Sequence, residues 1–437
     1  MAECKQISFG FPTCKSRKVL ADFNGGDVTS DGGVLLLRQV DKKLGLTRRL
    51  NEILKDKRSQ GHCDHDQLRL LRQRIYALAL GYEDINDHST LRKDTALQTA
   101  VEASEDLASA STLCRWENRA DRETAIRISE LLVEQFIMSF KNAPDELVLD
   151  FDATDDPVYG KQEGRFFHGY YDHYCFLPLY VFCGEQLLVS YLRPSNIDAA
   201  RHAWAILSLL TKRFRQVWPG VKIIIRGDSG FCRWRMLSWC DKHEVSYIIG
   251  VAKNSRLNEM SSALMEKAKA QHEISGQKQR LFSELSYAAY TWDKERRILV
   301  KAEHTDQGSN PRYVVTNLSG NPQKLYDEVY CARGDMENRI KEQQLGLFSD
   351  RTSCTKWWAN QFRVMLSSLA YVLLQTLRCV ALKGTILATA QCNTIRFKLL
   401  KIGAVIIRNT RRIIFHFSSA CPCQELFLTA VKRLSAT

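Results

Sequence analysis

The sequence lacks paired cysteine motifs, long apolar runs and a pattern typical of an export signal. Its 14 cysteines include no Cys-x2-Cys pair, and the basic N-terminal residues have no apolar stretch behind them, so we expect reduced cysteines in a cytoplasmic protein. The longest uncharged apolar run, Val364 to Leu377, has 14 residues, whereas a membrane span needs about 20. We therefore expect no membrane partner. With 9 prolines and 23 glycines in 437 residues, the composition is that of a folded globular protein.

A second ligand pair is missing from the one stretch that looks metal-binding. His62-Cys63-Asp64-His65 has no partner pair at zinc-finger spacing, and it precedes a predicted helix as a polar cap does. A polar cap is therefore favoured over a zinc site.

Acidic residues are scarce near the C-terminal end. From Gln375 onward the chain has ten Lys or Arg residues and one acid, Glu425, which is +9 of the net charge of +13. From Ile395 to Phe417 the basic residues alternate with apolar ones, which is typical of a folded element that presents cations to phosphates. We interpret residues 379–437 as a basic C-terminal DNA-binding region, with a basic surface that binds no ligand as the alternative. The candidate contacts are Arg408, Arg411 and Arg412.

Residues 1–143 are predicted to form a helical N-terminal DNA-binding domain, because apolar residues recur at helical spacing from about residue 30. Within it, a short helix capped by Ser109 carries Arg115, Trp116 and Arg119. This helix is a candidate DNA-reading element, although a plain capped helix in a bundle fits nearly as well.

The pattern changes to strands from Glu146. The predicted order β, β, β, α, β, α, β up to Val251 is the skeleton of a ribonuclease-H-like α/β core, here residues 144–255. Acidic residues stand at the ends of two of its strands: Asp150 and Asp152 on one face of the first, and Asp228 after another. Carboxylates that converge in this way suit two-metal phosphodiester cleavage with Mg²⁺.

A later helix adds a fourth acid. Tyr330, Arg333, Glu337 and Lys341 recur every three to four residues, so they share one helix face. Each acid alone has a structural alternative, since Asp228 could cap a turn and Glu337 could pair with Arg333. Together the acids favour a metal site.

These residues resemble the bacterial DDE insertion-sequence transposases, in the branch with a Tyr-x2-Arg-x3-Glu-x6-Lys signature. Tyr330, Arg333 and Glu337 match this spacing, whereas Gln344 stands at the Lys position and Lys341 offers a cation one turn earlier. The run Asp150-Phe151-Asp152-Ala153-Thr154 resembles the first acid strand of the family, and Arg226-Gly227-Asp228-Ser229-Gly230-Phe231 resembles the second.

The resemblance implies a function and a set of site residues. It implies binding of double-stranded DNA at terminal inverted repeats, cleavage, and joining of the 3′-OH ends to target DNA by a homodimer in the bacterial cytoplasm, near the nucleoid. Asp152, Asp228 and Glu337 are the implied catalytic residues and the ligands of two Mg²⁺ ions, for which Mn²⁺ can substitute. Asp150 is a candidate supporting acid. The implied phosphate contacts are Tyr330, Arg333 and Lys341.

The stretch from Asp228 to Glu337 is 109 residues, which is too long for a plain connection. It therefore predicts a β-rich insertion at residues 256–322, before the core resumes at residues 323–378. By resemblance, Trp292 is a candidate wedge beside a flipped base. A core tryptophan is the alternative.

Two other functions remain open. One is a ribonuclease-H-like nuclease or resolvase that cuts without joining, and the other is a catalytically retired transposase that acts as a DNA-binding repressor.

Overall fold

The computed structural model describes residues 8–436; the first seven residues, part of the segment predicted to contain no export signal, lie outside it. The chain divides into two compact units. The split unit comprises residues up to Arg119, Gly346–Phe348 and the residues from Leu369 onward. The sheet unit comprises Ala120–Leu345 and Ser349–Ser368. The expected mixed α/β class is confirmed.

The N-terminal part of the split unit is mainly helical from Val34 onward. Asp66 caps its central helix by accepting from Arg69 N at 2.8 Å, and Ser109 caps the predicted short helix. The elements are β1 (Phe9–Cys14), β2 (Arg17–Ala21), β3 (Asp27–Thr29), α1 (Val34–Leu44), α2 (Leu46–Ile53), α3 (Gln67–Leu80), α4 (His88–Leu91), α5 (Thr95–Val101) and α6 (Ala110–Glu117).

The sheet unit starts with a helix that the sequence prediction assigned to the N-terminal domain. The elements are α7 (Arg122–Met138), β4 (Glu146–Ala153), β5 (Asp156–Pro157), β6 (Phe166–His168), β7 (His173–Phe176), β8 (Leu179–Cys183), β9 (Gln186–Tyr191), α8 (Ala203–Val217), β10 (Lys222–Gly227), α9 (Trp234–Lys242), β11 (Ser246–Val251), α10 (Ser255–Met260), α11 (Ser262–Ser275), β12 (Gln279–Tyr287), β13 (Arg296–Thr305), β14 (Gly308–Ser309), β15 (Arg312–Thr316), α12 (Pro322–Lys324) and α13 (Gly334–Lys341). Helix α7 belongs here because Phe136 packs into the core of the sheet.

One large sheet organises this unit. Its strand order is β12-β13-β15-β11-β10-β4-β8-β9, with β14 paired to β13. Strand β10 runs parallel to β4 and β11. Leu149 and Phe151 of β4 pack on one face among the side chains of α8 and α9, whereas Ile224 and Tyr326 pack on the other face. The polar residues at the end of β4 therefore point to the second face.

The predicted insertion contains strands, but they are not separate from the core. Strand β15 pairs with β11, from Ile248↔Thr316 to Val251↔Tyr313, so β12, β13 and β15 extend the same sheet. Helices α10 and α11 precede them. The connection is thus mixed in structure rather than purely β-rich.

Helix α14 (Trp357–Thr376) continues through a π-helical turn, Leu377–Ala381. Trp357–Ala381 is long and apolar enough to cross a membrane by length and composition, and an 18-residue stretch within it has a mean hydropathy of 1.6. Of this 18-residue stretch, 78% is buried within the protein. A buried core helix meets the same two criteria.

The basic C-terminal region completes the split unit. Its elements are α15 (Cys392–Ile395), β16 (Ala404–Arg408), β17 (Ile413–Phe417) and α16 (Gln424–Ser435). Strand β16 pairs with β3 near the other end of the chain, Ala404 lying opposite Thr29. The region is therefore an integral part of a fold rather than an appended arm.

This packing corrects the estimate of cations available to DNA. Arg378 and Arg396 are buried, and Arg396 donates to the carbonyls of Ala79 and Gly346 at 2.9 and 2.5 Å. Lys401 pairs with Asp31 at 2.7 Å. Sequence counting treats these three charges as surface charges, because it cannot show which cations serve the fold.

Candidate active site

Asp150 lies near the end of β4 but is fully engaged by an arginine. In the parallel register Asp150 stands opposite Arg226 of β10, whose guanidinium donates to both carboxylate oxygens at 2.6 and 2.7 Å. Arg226 also donates to Val329 O at 2.8 Å. Burial raises the pKa of Asp150, and the Arg226 charge opposes this. This buried pair joins β4, β10 and the helical stretch at residues 322–346, which we call the Glu337 helix.

Asp152 is two residues further along β4 and meets like charges. Its side chain is 15% exposed. The pKa of Asp152 is raised to about 6. Burial is the main cause, and the charges of Asp228 and Glu337 also contribute to the rise, while the charge of Arg333 opposes it. Asp228 and Glu337 therefore both lie close enough to Asp152 to affect its ionisation.

Asp228 follows β10 and, as the structural alternative suggested, caps a turn, since Gly230 N donates to it at 2.9 Å. It also faces Tyr330. Burial raises the pKa of Tyr330, and the charge of Asp228 adds to the rise. A Cβ placed on Gly250 would lie 2.7 Å from the Tyr330 hydroxyl and 3.0 Å from Ser229 N. Only glycine at 250 leaves room for the phenol here.

The Glu337 helix combines several helical forms. A π-helical segment (Leu325–Tyr330) and a 3₁₀ turn (Cys331–Arg333) precede α13, and a second π-helical segment (Glu342–Gly346) follows it. Such π-helical turns are frequent at functional sites.

Arg333 connects two of the acids. Its guanidinium donates to Asp152 Oδ2 at 3.1 Å and to Glu337 Oε1 at 2.9 Å. Arg333 thus forms the i, i+4 pair with Glu337, and it also binds Asp152. Lys341 is exposed one turn beyond Glu337. Gln344, at the position of the signature Lys, donates to Asp155 O at 2.9 Å.

The acids suit a divalent metal in chemistry, although no preformed cluster is present. Asp152, Asp228 and Glu337 offer only carboxylate oxygens, the donors that Mg²⁺ prefers. Among residues 8–436, no three His, Cys, Asp or Glu side chains lie close enough together to hold an ion. Arg333 instead supplies the positive charge between Asp152 and Glu337.

Other predicted site residues lie elsewhere in the two units. Trp292 is partly buried, with Tyr287 at a ring distance of 5.7 Å and Arg296 5.5 Å above its ring. Its packing is that of a core residue. Arg408, Arg411 and Arg412 are exposed around the turn between β16 and β17.

In the split unit, two sequence motifs share one cleft of about 750 Å³. Its lining includes His62, Cys63 and His65 together with Arg115, Trp116 and Arg119. Trp116 is mostly buried, whereas Arg115 and Arg119 are exposed. The structure therefore brings together the predicted polar cap and the predicted DNA-reading helix.

Sequence reasoning missed Arg226 and a pair beside Asp152. His173 Nε2 lies 2.9 Å from Asp155 Oδ2, and Tyr171 packs next to His173. The signal for Arg226 was an arginine at the end of an apolar strand. The partner of His173, 18 residues away, left no local signal.

One family of known proteins matches this chain. The family model described as "Transposase DDE domain group 1" matches residues 11–437. A search of curated proteins gave no match. Among solved structures, a cryo-EM structure of the piggyBac transposase synaptic complex with hairpin DNA is 10% identical, with 85% of this chain and 80% of that chain covered and a TM-score of 0.44. Because the family match spans nearly the whole sequence, the chain belongs to the DDE-domain transposases of group 1.

Proposed function

We propose that this transposase binds the ends of a bacterial insertion sequence, cleaves the DNA and joins the 3′-OH ends to target DNA. The observation that carries the proposal is the placement of Asp228 and Glu337 within electrostatic reach of Asp152, together with Arg333, which bonds both Asp152 and Glu337. The proposed scaffold is a ribonuclease-H-like core formed by strands β9-β8-β4-β10-β11. The parallel pairing of β4, β10 and β11 supports this assignment.

Asp152, Asp228 and Glu337 would hold the metal, which we propose to be two Mg²⁺ ions, with Mn²⁺ as a substitute. When bound, the ions would activate the attacking hydroxyl and stabilise the leaving oxygen. Asp150 supports the site by fixing Arg226, and hence the alignment of β4 with β10, rather than by binding metal. Its contacts match this role.

Arg333 is positioned to grip a phosphate. Its guanidinium reaches two of the acids, and arginine binds phosphate through short charge-assisted hydrogen bonds. Tyr330 and Lys341 are proposed as further phosphate contacts on the same helix. With Gln344 engaged by Asp155 O, Lys341 takes the part of the signature lysine.

The DNA partners are proposed to be the terminal inverted repeats and the target duplex. Arg115 and Arg119 in the cleft of the split unit would recognise the element end, while Arg408, Arg411 and Arg412 would contact phosphates. We further propose a homodimer in the DNA complex and a location in the bacterial cytoplasm, near the nucleoid.

The test is a cleavage and joining assay. Purified full-length protein is incubated with Mg²⁺, labelled element-end DNA and a plasmid target. We expect cut ends and joined products, with both lost in Asp228→Asn and Glu337→Gln. Glu328→Gln, an exposed acid on the same helix, is the matched control and should retain both.

The outcomes separate the alternatives. Cutting without joined products would identify a nuclease or resolvase, and specific binding without any cutting would identify a repressor. Near-normal cleavage by Asp228→Asn would show that the acids are wrongly assigned.

A further inference from the structure

Residues 159–174 form an unusually aromatic exposed segment, which we call the aromatic ribbon. Six of its sixteen residues are Tyr or Phe, whereas aromatic residues make up 10% of the chain. Tyr159 is 94% exposed and Tyr170 is 85% exposed. Phe166, Phe167 and Tyr174 are exposed as well. Exposed aromatic surface of this extent usually marks an interaction site.

The backbone beneath these rings is firmly held within the sheet unit. Strand β7 lies between β5 and β6 in a small sheet. Ser195 donates to Phe166 O at 2.8 Å, and the Glu163 side chain accepts from Trp357 N at 3.0 Å. Gly164 has a positive φ of 80°, and a Cβ there would lie 2.5 Å from the Trp357 ring. The rings are thus presented on a fixed base, which lowers the entropy cost of binding.

The ribbon is directly connected to the proposed active site. It begins only a few residues after Asp152, and the Asp155–His173 contact of 2.9 Å fastens its far strand to the segment that follows β4. Burial raises the pKa of the Tyr171 phenol to about 12, and the nearby charges of Asp155 and Asp152 add to the rise. The part of the ribbon around Tyr171 therefore lies near Asp152.

The ribbon carries two cations and two acids, Glu163 and Asp172, so its formal net charge is zero. Lys161 and Arg165 are its cations, and Arg165 lies 4.5 Å above the Tyr174 ring. Of its two acids, Glu163 is used in the anchoring contact to Trp357. Aromatic rings combined with cations bind single-stranded nucleic acid, since every base offers a face for stacking and every phosphate a negative charge.

We propose that the aromatic ribbon stacks on bases of an unpaired DNA strand next to the cleavage site. This inference rests on the proposed function, because it identifies a part of the substrate of that same site. The ribbon would hold bases that leave the duplex as the DNA is cut, with Tyr159 and Tyr170 as the main stacking side chains.

The test measures binding to single-stranded and double-stranded forms of one 20-nucleotide DNA that carries 2-aminopurine near its centre. Full-length protein is used in EDTA, so that no cleavage occurs. We expect Tyr159→Ala/Tyr170→Ala to bind the single strand about tenfold more weakly and to lose the fluorescence quenching that stacking causes. Duplex affinity should stay within about twofold.

Two controls accompany the variant. Tyr159→Phe/Tyr170→Phe keeps both rings and should bind the single strand as the original protein does. Tyr290→Ala removes a fully exposed ring between β12 and β13, at the β12 edge of the large sheet. This variant should bind both DNA forms as the original protein does.

Unchanged single-strand binding by the double alanine variant would overturn the ribbon proposal but not the proposed function, provided that cleavage and joining are observed. A change in sedimentation without a change in DNA binding would overturn it in favour of a protein interface. If the original protein binds neither DNA form, the ribbon proposal and the proposed function both fail.

Discussion

Two aspartates on the same face of β4 are expected to affect stability in opposite directions. Asp150 is neutralised by two hydrogen bonds from Arg226, whereas Asp152 is buried near Asp228 and Glu337. We therefore expect the Asp150 carboxylate to stabilise the fold and the ionised Asp152 carboxylate to destabilise it.

Replacing Asp150 should unfold the protein more easily. Asp150→Asn leaves the Arg226 charge buried without its partner, and breaking such a pair costs about 3 kcal/mol or more. Urea unfolding at pH 7 measures this loss. A loss below about 1 kcal/mol would contradict the view of Arg226 and Asp150 as a structural pair.

Replacing Asp152 should do the opposite in protein without metal. The pKa of Asp152 is about 6 in the folded chain, against an ordinary value of 3.8. The folded state thus holds the proton more tightly, so the stability that protonation gives at low pH is lost as the pH rises from about 4 to 6. At pH 8, Asp152→Asn should be more stable by about 3 kcal/mol. A thermal midpoint in EDTA below that of the original protein would contradict this.

At the scale of elements, the buried strands were the most predictable. The apolar pattern predicts strands at Ser246 to Val251 and at Val221 to Ile225. Strand β11 has the first of these bounds, whereas β10 begins one residue later and ends two residues later than predicted. Strands covered on both faces give such continuous apolar runs. The run Cys175 to Cys183 predicts a single strand, but it belongs to two strands, β7 and β8. Pro178 lies between them and has no backbone N–H to donate to a sheet.

The remaining errors come from contacts between distant residues. The sequence pattern predicts a helix from Ile197 to Arg215, but helix α8 begins at Ala203. Buried Arg193 holds the preceding loop by donating to Ala199 O and Arg201 O at 2.8 and 2.7 Å. Likewise, helical spacing placed Arg333 beside Glu337. Its bond to Asp152, 181 residues away, depends on the tertiary fold.

A buried polar cluster joins α3 to α4 and α6 in the split unit. Arg74 donates to Glu117 at 2.8 Å, and His88 lies between Gln73 and Arg74, at 3.0 and 3.3 Å. Burial lowers the pKa of His88 to about 3, and the Arg74 charge adds to this.

His88 should therefore make the fold sensitive to mild acid. At pH values below 6.5, the ordinary pKa of histidine, His88 is protonated in the unfolded chain but not in the folded chain. The free energy of unfolding therefore falls by about 1.4 kcal/mol per pH unit until about pH 3. Between pH 7 and pH 5 the protein should lose about 2 kcal/mol more than His88→Gln does. Equal losses in urea unfolding would show that His88 takes up its proton while the protein is folded.

For the whole molecule, charge location matters more than total charge. Because β16 pairs with β3, removing the residues after about 390 would damage the split unit. Point substitutions therefore test the DNA contacts of this region better than a truncation does. Arg411 and Arg412 are exposed at a hairpin turn.

Neutralising that turn should flatten the salt dependence of DNA binding. If both residues contact phosphates, Arg411→Ala/Arg412→Ala should reduce the slope of log affinity against log salt by about 1.8, measured by fluorescence anisotropy. Lys267→Ala/Lys269→Ala, two exposed lysines on α11, is the charge-matched control and should leave the slope unchanged. Equal changes in the two variants would mean that the turn has no special part.

The order of segments along the chain has a consequence for synthesis. The split unit combines residues up to Arg119 with those from Leu369 onward, and most of the sheet unit lies between them. During translation, the sheet unit emerges from the ribosome before strands β16 and β17, which complete the split unit, have been synthesised. An incomplete translation product that ends near residue 368 would therefore contain every proposed catalytic acid but only part of the split unit. If that unit recognises the element end, the completed chain would be the first product able to direct its chemistry to its own DNA.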